Sequence, residues 1–266
     1  MTQIASKTIL ITGGAQGMGR LLAQRCIEKH AAKLILWDIN EGQLSETVSA
    51  LSGKEADVTG TVVNVRDGDA VAAAAEEAGH VDILVNNAGI VAGKPLAEQS
   101  HADIDRTIGV NVSGVIHTTR AFLPDMLAHG GHIVNMASAS GYIPLPRLTT
   151  YAASKWACLG FSESLRVELR DQPSVQVTTV CPSYIDTGMF DGVRAPIGAP
   201  LLTPDYAVSR ILRAIEADQA KVNMPWLVHL MPLCYNLLPS WIFEPVIGRG
   251  LGVYRAMDHF RGHGDE

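Results

Sequence analysis

The chain has 266 residues, a formal net charge of −6 and 47% hydrophobic residues. That length suits one α/β domain burying roughly three quarters of its unfolded surface, which needs no covalent staple to hold it together. The acidic balance argues against a nucleic-acid partner, and Cys26, Cys158, Cys181 and Cys234, lying far apart with no Cys-x-x-Cys pair, read as reduced thiols.

The start, "MTQIASKTILITGG", offers no charged leader, long apolar segment or cleavage site. The chain is therefore expected to enter its first strand directly and to work in the cytoplasm. In chain order, the pattern predicts a strand at 7–12, a helix at 17–30, a strand at 33–38, a helix at 41–51, a strand at 58–65, a helix at 68–78 and a strand at 82–87. There follow a long helix at about 101–128, a strand at 132–137, a helix at about 150–170, a strand at 175–182, a helix at 204–218 and a strand at 220–225. Most of the strand runs are continuous and β-branched, as strands buried on both faces of a parallel sheet are. The alternation predicts an α/β fold in which a doubly wound parallel sheet of seven strands is flanked by helices in a single domain spanning residues 1–266. Residues 184–203 are expected to form a substrate loop and 224–266 a hydrophobic C-terminal extension.

Ligands in such sheets bind beyond the carboxyl ends of the strands. The first strand ends in "TGGAQGMG", where Gly13, Gly17 and Gly19 permit a tight turn and close backbone approach, with Gln16 and Met18 between them. Such a turn at a helix N-terminus suits a pyrophosphate. Asp38 closes the second strand, where a carboxylate can meet the adenosine ribose hydroxyls and repel a 2′-phosphate, so NAD is expected over NADP. The nearest basic side chain is Arg20, just inside the helix.

Taken together, "TGGAQGMG", "NNAG" at 86–89, Asn111, Ser138, "YAASK" at 151–155 and "CPSYIDTGM" at 181–189 resemble, in the same order, the classical short-chain dehydrogenases/reductases, whose fold is Rossmann-like. The segments "LILWDIN", "GHIVNMASASG" and "PWLVHLMPLCYNLLP" are similar more narrowly to the branch holding retinol and hydroxysteroid dehydrogenases. The resemblance implies a catalytic set of Asn111, Ser138, Tyr151 and Lys155. Tyr151 and Lys155 share one helix face, so the ammonium can favour the phenolate of a group whose free pKa is ~10, assisted by the positive nicotinamide ring. Ser138 would hold the substrate oxygen, Lys155 the nicotinamide ribose, and Asn111 a water linking Lys155 to solvent. Cofactor contacts are implied at Asn64 and Val65 after the third strand, at Asn86, Asn87, Ala88 and Gly89, and at Pro182, Ile185 and Thr187. Two positions depart from the family pattern: Asn64 stands where Asp is common, and Ser183 replaces the usual glycine after Pro182.

The loops "YIPLPRL" and 184–202 offer Ile143, Leu145, Leu148, Tyr184, Met189, Phe190, Val193 and Ile197 with few charges, which favours a lipophilic secondary alcohol or ketone of steroid, retinoid or long-chain type. Arg147 and Arg194 read as solvated loop charges. The apolar tail from Met224 to Val253 is broken by Pro232, Pro239 and Pro245 and is no ordinary transmembrane helix. It is expected to cover the pocket, to pack on another subunit of a homodimer or homotetramer, or to rest peripherally on a membrane. His259 and His263 read as part of a polar terminus, and no metal is assigned. The competing readings are an acyl- or quinone-type ketoreductase and a dinucleotide-binding regulator without turnover.

Overall fold

Seven apolar runs form strands: β1 (Thr8–Thr12), β2 (Lys33–Asp38), β3 (Asp57–Val62), β4 (Ile83–Asn86), β5 (Gly131–Met136), β6 (Val175–Pro182) and β7 (Lys221–Met224). The computed structural model describes residues 1–53 and 56–262, so His263 lies outside the described residues. The strands make one parallel sheet in the order β3-β2-β1-β4-β5-β6-β7. From β1 the chain winds outward to β2 and β3, then returns to the other side of β1 at β4. That reversal opens a crevice at the carboxyl ends of the strands, between β1 and β4.

Helices α1 (Gly17–Glu28), α2 (Glu41–Leu51) and α7 (Pro204–Glu216) cover one face through Leu22, Cys26, Leu44, Leu51, Ile211 and Ile215. Helices α3 (Gly68–Ala78), α5 (Val115–His129) and α6 (Thr149–Glu168) cover the other, packing Val71, Phe122, Met126 and Leu165 on Trp37, Leu84 and Ile133. This is the doubly wound, single-domain architecture that the alternation predicts.

The long helix expected at about 101–128 is divided. Helix α4 (His101–Ile108), opened by a Ser100–Asp103 capping box, passes into a π-helical segment Gly109–Gly114 before α5. The cause is a close approach to the loop after β3. A Cβ on Gly109 would lie 2.8 Å from Arg66 Nε, and one on Gly114 would lie 2.7 Å from Val65 Cγ2. The wider turn carries Asn111, and such turns recur at functional sites.

Beyond β7 the tail folds into short pieces: a 3-10 turn at Trp226–His229, α8 (Met231–Leu237), α9 (Ser240–Phe243), a π turn at Glu244–Gly250 and a 3-10 turn at Val253–Arg255. Val228, Phe243, Ile247 and Val253 are buried against Ala137, Tyr142, Ile143 and Cys158. Trp226, Leu233, Leu237 and Trp241 face outward. Among the described residues no helix is long and apolar enough to cross a membrane.

At the far end of the sheet, His132 on β5 is fully buried, its Nδ1 3.0 Å from Thr2 Oγ1 and its Nε2 2.8 Å from Thr178 Oγ1. Burial pushes its pKa down from 6.5 to about 4, Asp218 offsetting part of the effect. Because the folded value lies below the unfolded one, the neutral ring's contribution is present above pH 6.5 and is lost as pH falls through about 4. That difference corresponds to on the order of 3 kcal/mol. Urea unfolding followed between pH 7 and 4 is expected to show this acid-side loss in the native chain and a flatter profile in His132→Gln.

Candidate active site

The β1–α1 turn is built around glycines that no other residue can replace. Gly13 (φ +64) would bring a Cβ to 2.9 Å from Ala88 Cα, and a Cβ on Gly19 would meet the Gly13 carbonyl oxygen at 2.0 Å. Helix α1 starts without a side-chain cap from Gln16 and without an acid in its first turn. By contrast, Asn40, Asp67, Ser100 and Thr203 each cap the helix they precede. The free N–H groups and positive helix end suit an anion. A Cβ on Gly17 (φ +52) would find only Thr187 Cβ within 4 Å, at 3.8 Å, so the loop after β6 comes close to the turn at Thr187. Met18 packs its side chain onto the core beneath α1.

The other sequence-predicted cofactor positions gather at the same sheet edge. Asp38 Oδ2 accepts the Ala15 N–H at 3.0 Å and Oδ1 that of Asn40 at 3.1 Å, which fixes the carboxylate beside the glycine turn. Asn87 ties the β4 loop to that turn, its Nδ2 donating to the carbonyls of Thr12 and Gly13 at 3.0 Å each. Thr12, which the sequence reading passed over, completes the strap by accepting from the N–H groups of Asn87 (3.1 Å) and Ala88 (3.0 Å). Asn64 Oδ1 accepts the Arg66 N–H at 3.2 Å and keeps one lone pair for a further donor. Val65 is buried against Gly114. Asn86, placed by the resemblance on the adenosine side, has its side chain engaged within the protein. Fully buried, it spends its amide on Thr118, Thr119 and Asn135, joining β4 to α5 and β5.

On α6, Tyr151 and Lys155 are both buried, with Lys155 Nζ 5.6 Å from the Tyr151 ring centroid. The ammonium donates to the Met136 carbonyl on β5 at 2.8 Å. Its pKa is lowered by burial. Burial also pushes the Tyr151 phenol up to about 12, an interaction with the Ser138 side chain drawing it partly back. In the chain alone, burial therefore outweighs the pull that the spacing of Tyr151 and Lys155 suggests. Ser138 is held by the turn after β5: its Oγ accepts the Ser140 N–H at 3.2 Å and shares a 2.6 Å hydrogen bond with Ser140 Oγ.

Asn111, in the π turn, is fixed on three sides. Its Oδ1 accepts the Ile90 N–H at 2.9 Å, and its Nδ2 donates to the Ile90 carbonyl at 2.9 Å and to Ser154 Oγ at 3.0 Å. A Cβ on Gly89 would stand 3.5 Å from Asn111 Oδ1 and 3.6 Å from Lys155 Nζ, so these three residues meet. The loop after β6 begins with Ser183 bonded through its N–H to the Met224 carbonyl at 2.6 Å and in no left-handed conformation, so the position does not require glycine. Ile185 bridges to Leu202 and closes the base of the 184–203 loop, and Thr187 N–H bonds the Ile185 carbonyl at 3.0 Å.

An apolar pocket opens beside Ser138, with an empty volume of about 710 Å³ including the part open to solvent. Of the candidates from the sequence, Ile143, Leu145, Tyr184, Phe190 and Ile197 line it. Leu148 and Val193 instead pack behind Tyr151 with Ala256 and Met257. Met189 is half-buried outside the lining. The tail supplies further walls: Leu227, Val228, Met231, Leu251 and Val253. Hydrogen bonds from Arg194 N–H to the Ala256 carbonyl and from Ile197 N–H to the Leu251 carbonyl fasten the 184–203 loop to the tail.

Residues 7–197 match the family model described as short chain dehydrogenase. Human epidermal retinol dehydrogenase 2 is 36% identical, the alignment spanning 97% of this chain and 86% of the relative. Estradiol 17-beta-dehydrogenase 11 of Macaca fascicularis is 35% identical over 94% of this chain and 85% of the relative. Among solved structures, a short-chain dehydrogenase/reductase from Burkholderia phymatum in complex with NAD superposes with a TM-score of 0.80 at 30% identity, covering 89% of this chain and 95% of that one. One from Burkholderia cenocepacia J2315 in complex with NADP reaches 0.81 at 26% identity, covering 92% and 99%. The chain belongs to the short-chain dehydrogenase/reductase family of oxidoreductases.

Proposed function

We propose that the protein is an NAD-dependent alcohol dehydrogenase and ketoreductase acting on a lipophilic secondary alcohol or ketone of steroid, retinoid or long-chain type. The observation that carries this reading is the apolar pocket that opens beside Ser138, at the carboxyl edge of the sheet where the glycine turn after β1 also lies. The uncapped α1, the left-handed Gly13 and Gly17 and the fixed Asp38 carboxylate fit a dinucleotide with its pyrophosphate at Gly17 and its adenosine ribose at Asp38. A dinucleotide held there would supply the hydride acceptor for oxidation at a carbinol carbon and the hydride donor for reduction of a ketone.

The chain's own residues manage the oxygen. Ser138 Oγ holds it by hydrogen bonding, and Tyr151 Oη removes its proton in oxidation and restores it in reduction. The apolar walls displace water from a substrate whose buried surface favours binding by about 25 cal/mol per Å². Lys155 places a positive charge near the phenol, and Asn111 locks the Ile90 loop against α6 so that the charge stays in place. The covering position of Leu227, Met231 and Val253 supports the tail as a pocket wall. Contact of its outward tryptophans with a second subunit or a membrane surface remains a part of the same proposal that the pocket does not carry.

Loss of the proton-transferring group is expected to lower kcat for a lipophilic alcohol by ~10²–10⁴-fold in Tyr151→Phe, while NADH still quenches protein fluorescence at similar concentrations. Absorbance at the NADH band across steroids, retinoids and aliphatic secondary alcohols reads the effect. Quenching with no turnover of any substrate by the native chain would instead favour the regulator.

Asp38 sets the cofactor. A 2′-phosphate about 4 Å from its carboxylate meets a repulsion of about 4 kcal/mol at an effective dielectric near 20, reduced by solvent screening at this half-exposed position. The native chain is expected to prefer NAD, and Asp38→Ser to shift the ratio of kcat/KM toward NADP by roughly tenfold to a hundredfold. A native preference for NADP would favour the acyl- or quinone-type ketoreductase instead.

A further inference from the structure

At the end of the sheet away from the cleft, two imidazoles and a carboxylate converge. His80, in the loop between α3 and β4, directs Nδ1 to Asp125 Oδ2 at 2.6 Å, and His129, one helical turn after Asp125 on α5, directs Nδ1 to Oδ1 at 2.9 Å. The two rings stand edge to face with centroids 5.5 Å apart. One ligand atom from each of the three residues lies within 4.8 Å of the others. Neither the pocket nor the cofactor cleft uses any of them.

We propose that His80, Asp125 and His129 form a binding site for a divalent zinc-like cation, with water completing the coordination. The donor set argues for that class, since two imidazole nitrogens and one carboxylate oxygen are zinc ligands, whereas calcium takes six to eight oxygens. Distances agree as well: ligands about 2.0–2.2 Å from a tetrahedral zinc stand about 3.4 Å apart, which small side-chain rotations reach from the separations present. Zinc takes the place of the protons that now lie between the rings and the carboxylate, and each neutral ring then carries its proton on Nε2.

Two surrounding features favour a cation here. His80 Nε2 faces Asp82 Oδ1 at 3.6 Å, and Asp82 is itself fixed by Lys7 Nζ at 2.7 Å and the Thr8 N–H at 2.9 Å. A carboxylate behind the outer nitrogen is the arrangement that orients a metal-bound imidazole. Asp125 and His129 also occupy the C-terminal end of α5, where the helix dipole is negative. Bound there, the cation would clip the loop before β4 to the end of α5.

The tag-free full chain, stripped with EDTA, is titrated calorimetrically with Zn²⁺ and separately with Ca²⁺. The expected result is saturable uptake of a single Zn²⁺ and none of Ca²⁺. Zn²⁺ affinity should fall by ~tenfold or more in His80→Gln and in His129→Gln, and stay unchanged in His259→Gln. Failure of the native chain to take up Zn²⁺, undiminished uptake in both ring variants, or a loss confined to His259→Gln would each overturn the site. Because a ring variant could act through folding, Co²⁺ added to the native chain gives a second reading. Visible absorption bands of a low-coordinate nitrogen–oxygen site, bleached by Zn²⁺, support the assignment, and their absence contradicts it.

Discussion

A lysine ammonium held in the interior by a single carbonyl, beside a phenol that burial keeps protonated, is the constraint around which this fold is arranged. Lys155 donates to Met136 on β5, and among the described residues no carboxylate neutralises it. Such a group is costly to bury, and its desolvation lowers its own pKa while desolvation raises that of Tyr151. Both side chains are thus displaced from their solution behaviour in opposite directions. A ligand that supplies hydrogen-bond acceptors to the lysine and positive charge near the phenol would relieve both, and the proposed cofactor would in this way couple its binding to the readiness of Tyr151.

The parallel sheet makes that coupling geometrically achievable. All seven strands end at one edge, so the turn after β1, the carboxylate ending β2, the strap after β4, the serine after β5 and the threonine after β6 arrive together without long excursions. Thr12 and Asn87 stitch the first and fourth strand ends to each other. Asn111 and Ser154 stitch the π turn to α6. The wall facing solvent is of another kind, since the 184–203 loop and the tail hold each other through main-chain hydrogen bonds and apolar side chains. The strand ends thus place the candidate site, and two segments outside the sheet shape much of the apolar pocket.

That division also separates what could be read from the amino acids alone. Strands such as "KLILWD" are legible because burial on both faces demands an unbroken apolar run, and the glycine turn is legible because Gly13 and Gly19 occupy backbone positions closed to any Cβ. The approach of Lys155 to Tyr151 is legible because positions four apart share a helix face. The π turn was not, because Gly109–Gly114 keeps a helical pattern and is widened only by contact with Arg66 and Val65, which are distant in sequence. The role of the Asn86 amide was hidden for a related reason, since its partners on α5 and β5 lie far away in sequence. The local fold of the tail could not be read because three prolines cut it into pieces too short for periodicity, and its burial depends on Ile143 and Cys158 far upstream.

We propose that burial is the main cause that holds Tyr151 protonated and that a bound nicotinamide cofactor would release it. An ultraviolet difference titration of the native chain against Tyr151→Phe, with and without saturating NAD⁺, measures this directly. The phenol is expected to ionise near pH 12 without cofactor, and several units lower with NAD⁺ in the native chain but not in Lys155→Met. Ionisation at the same high pH in both conditions would contradict the account.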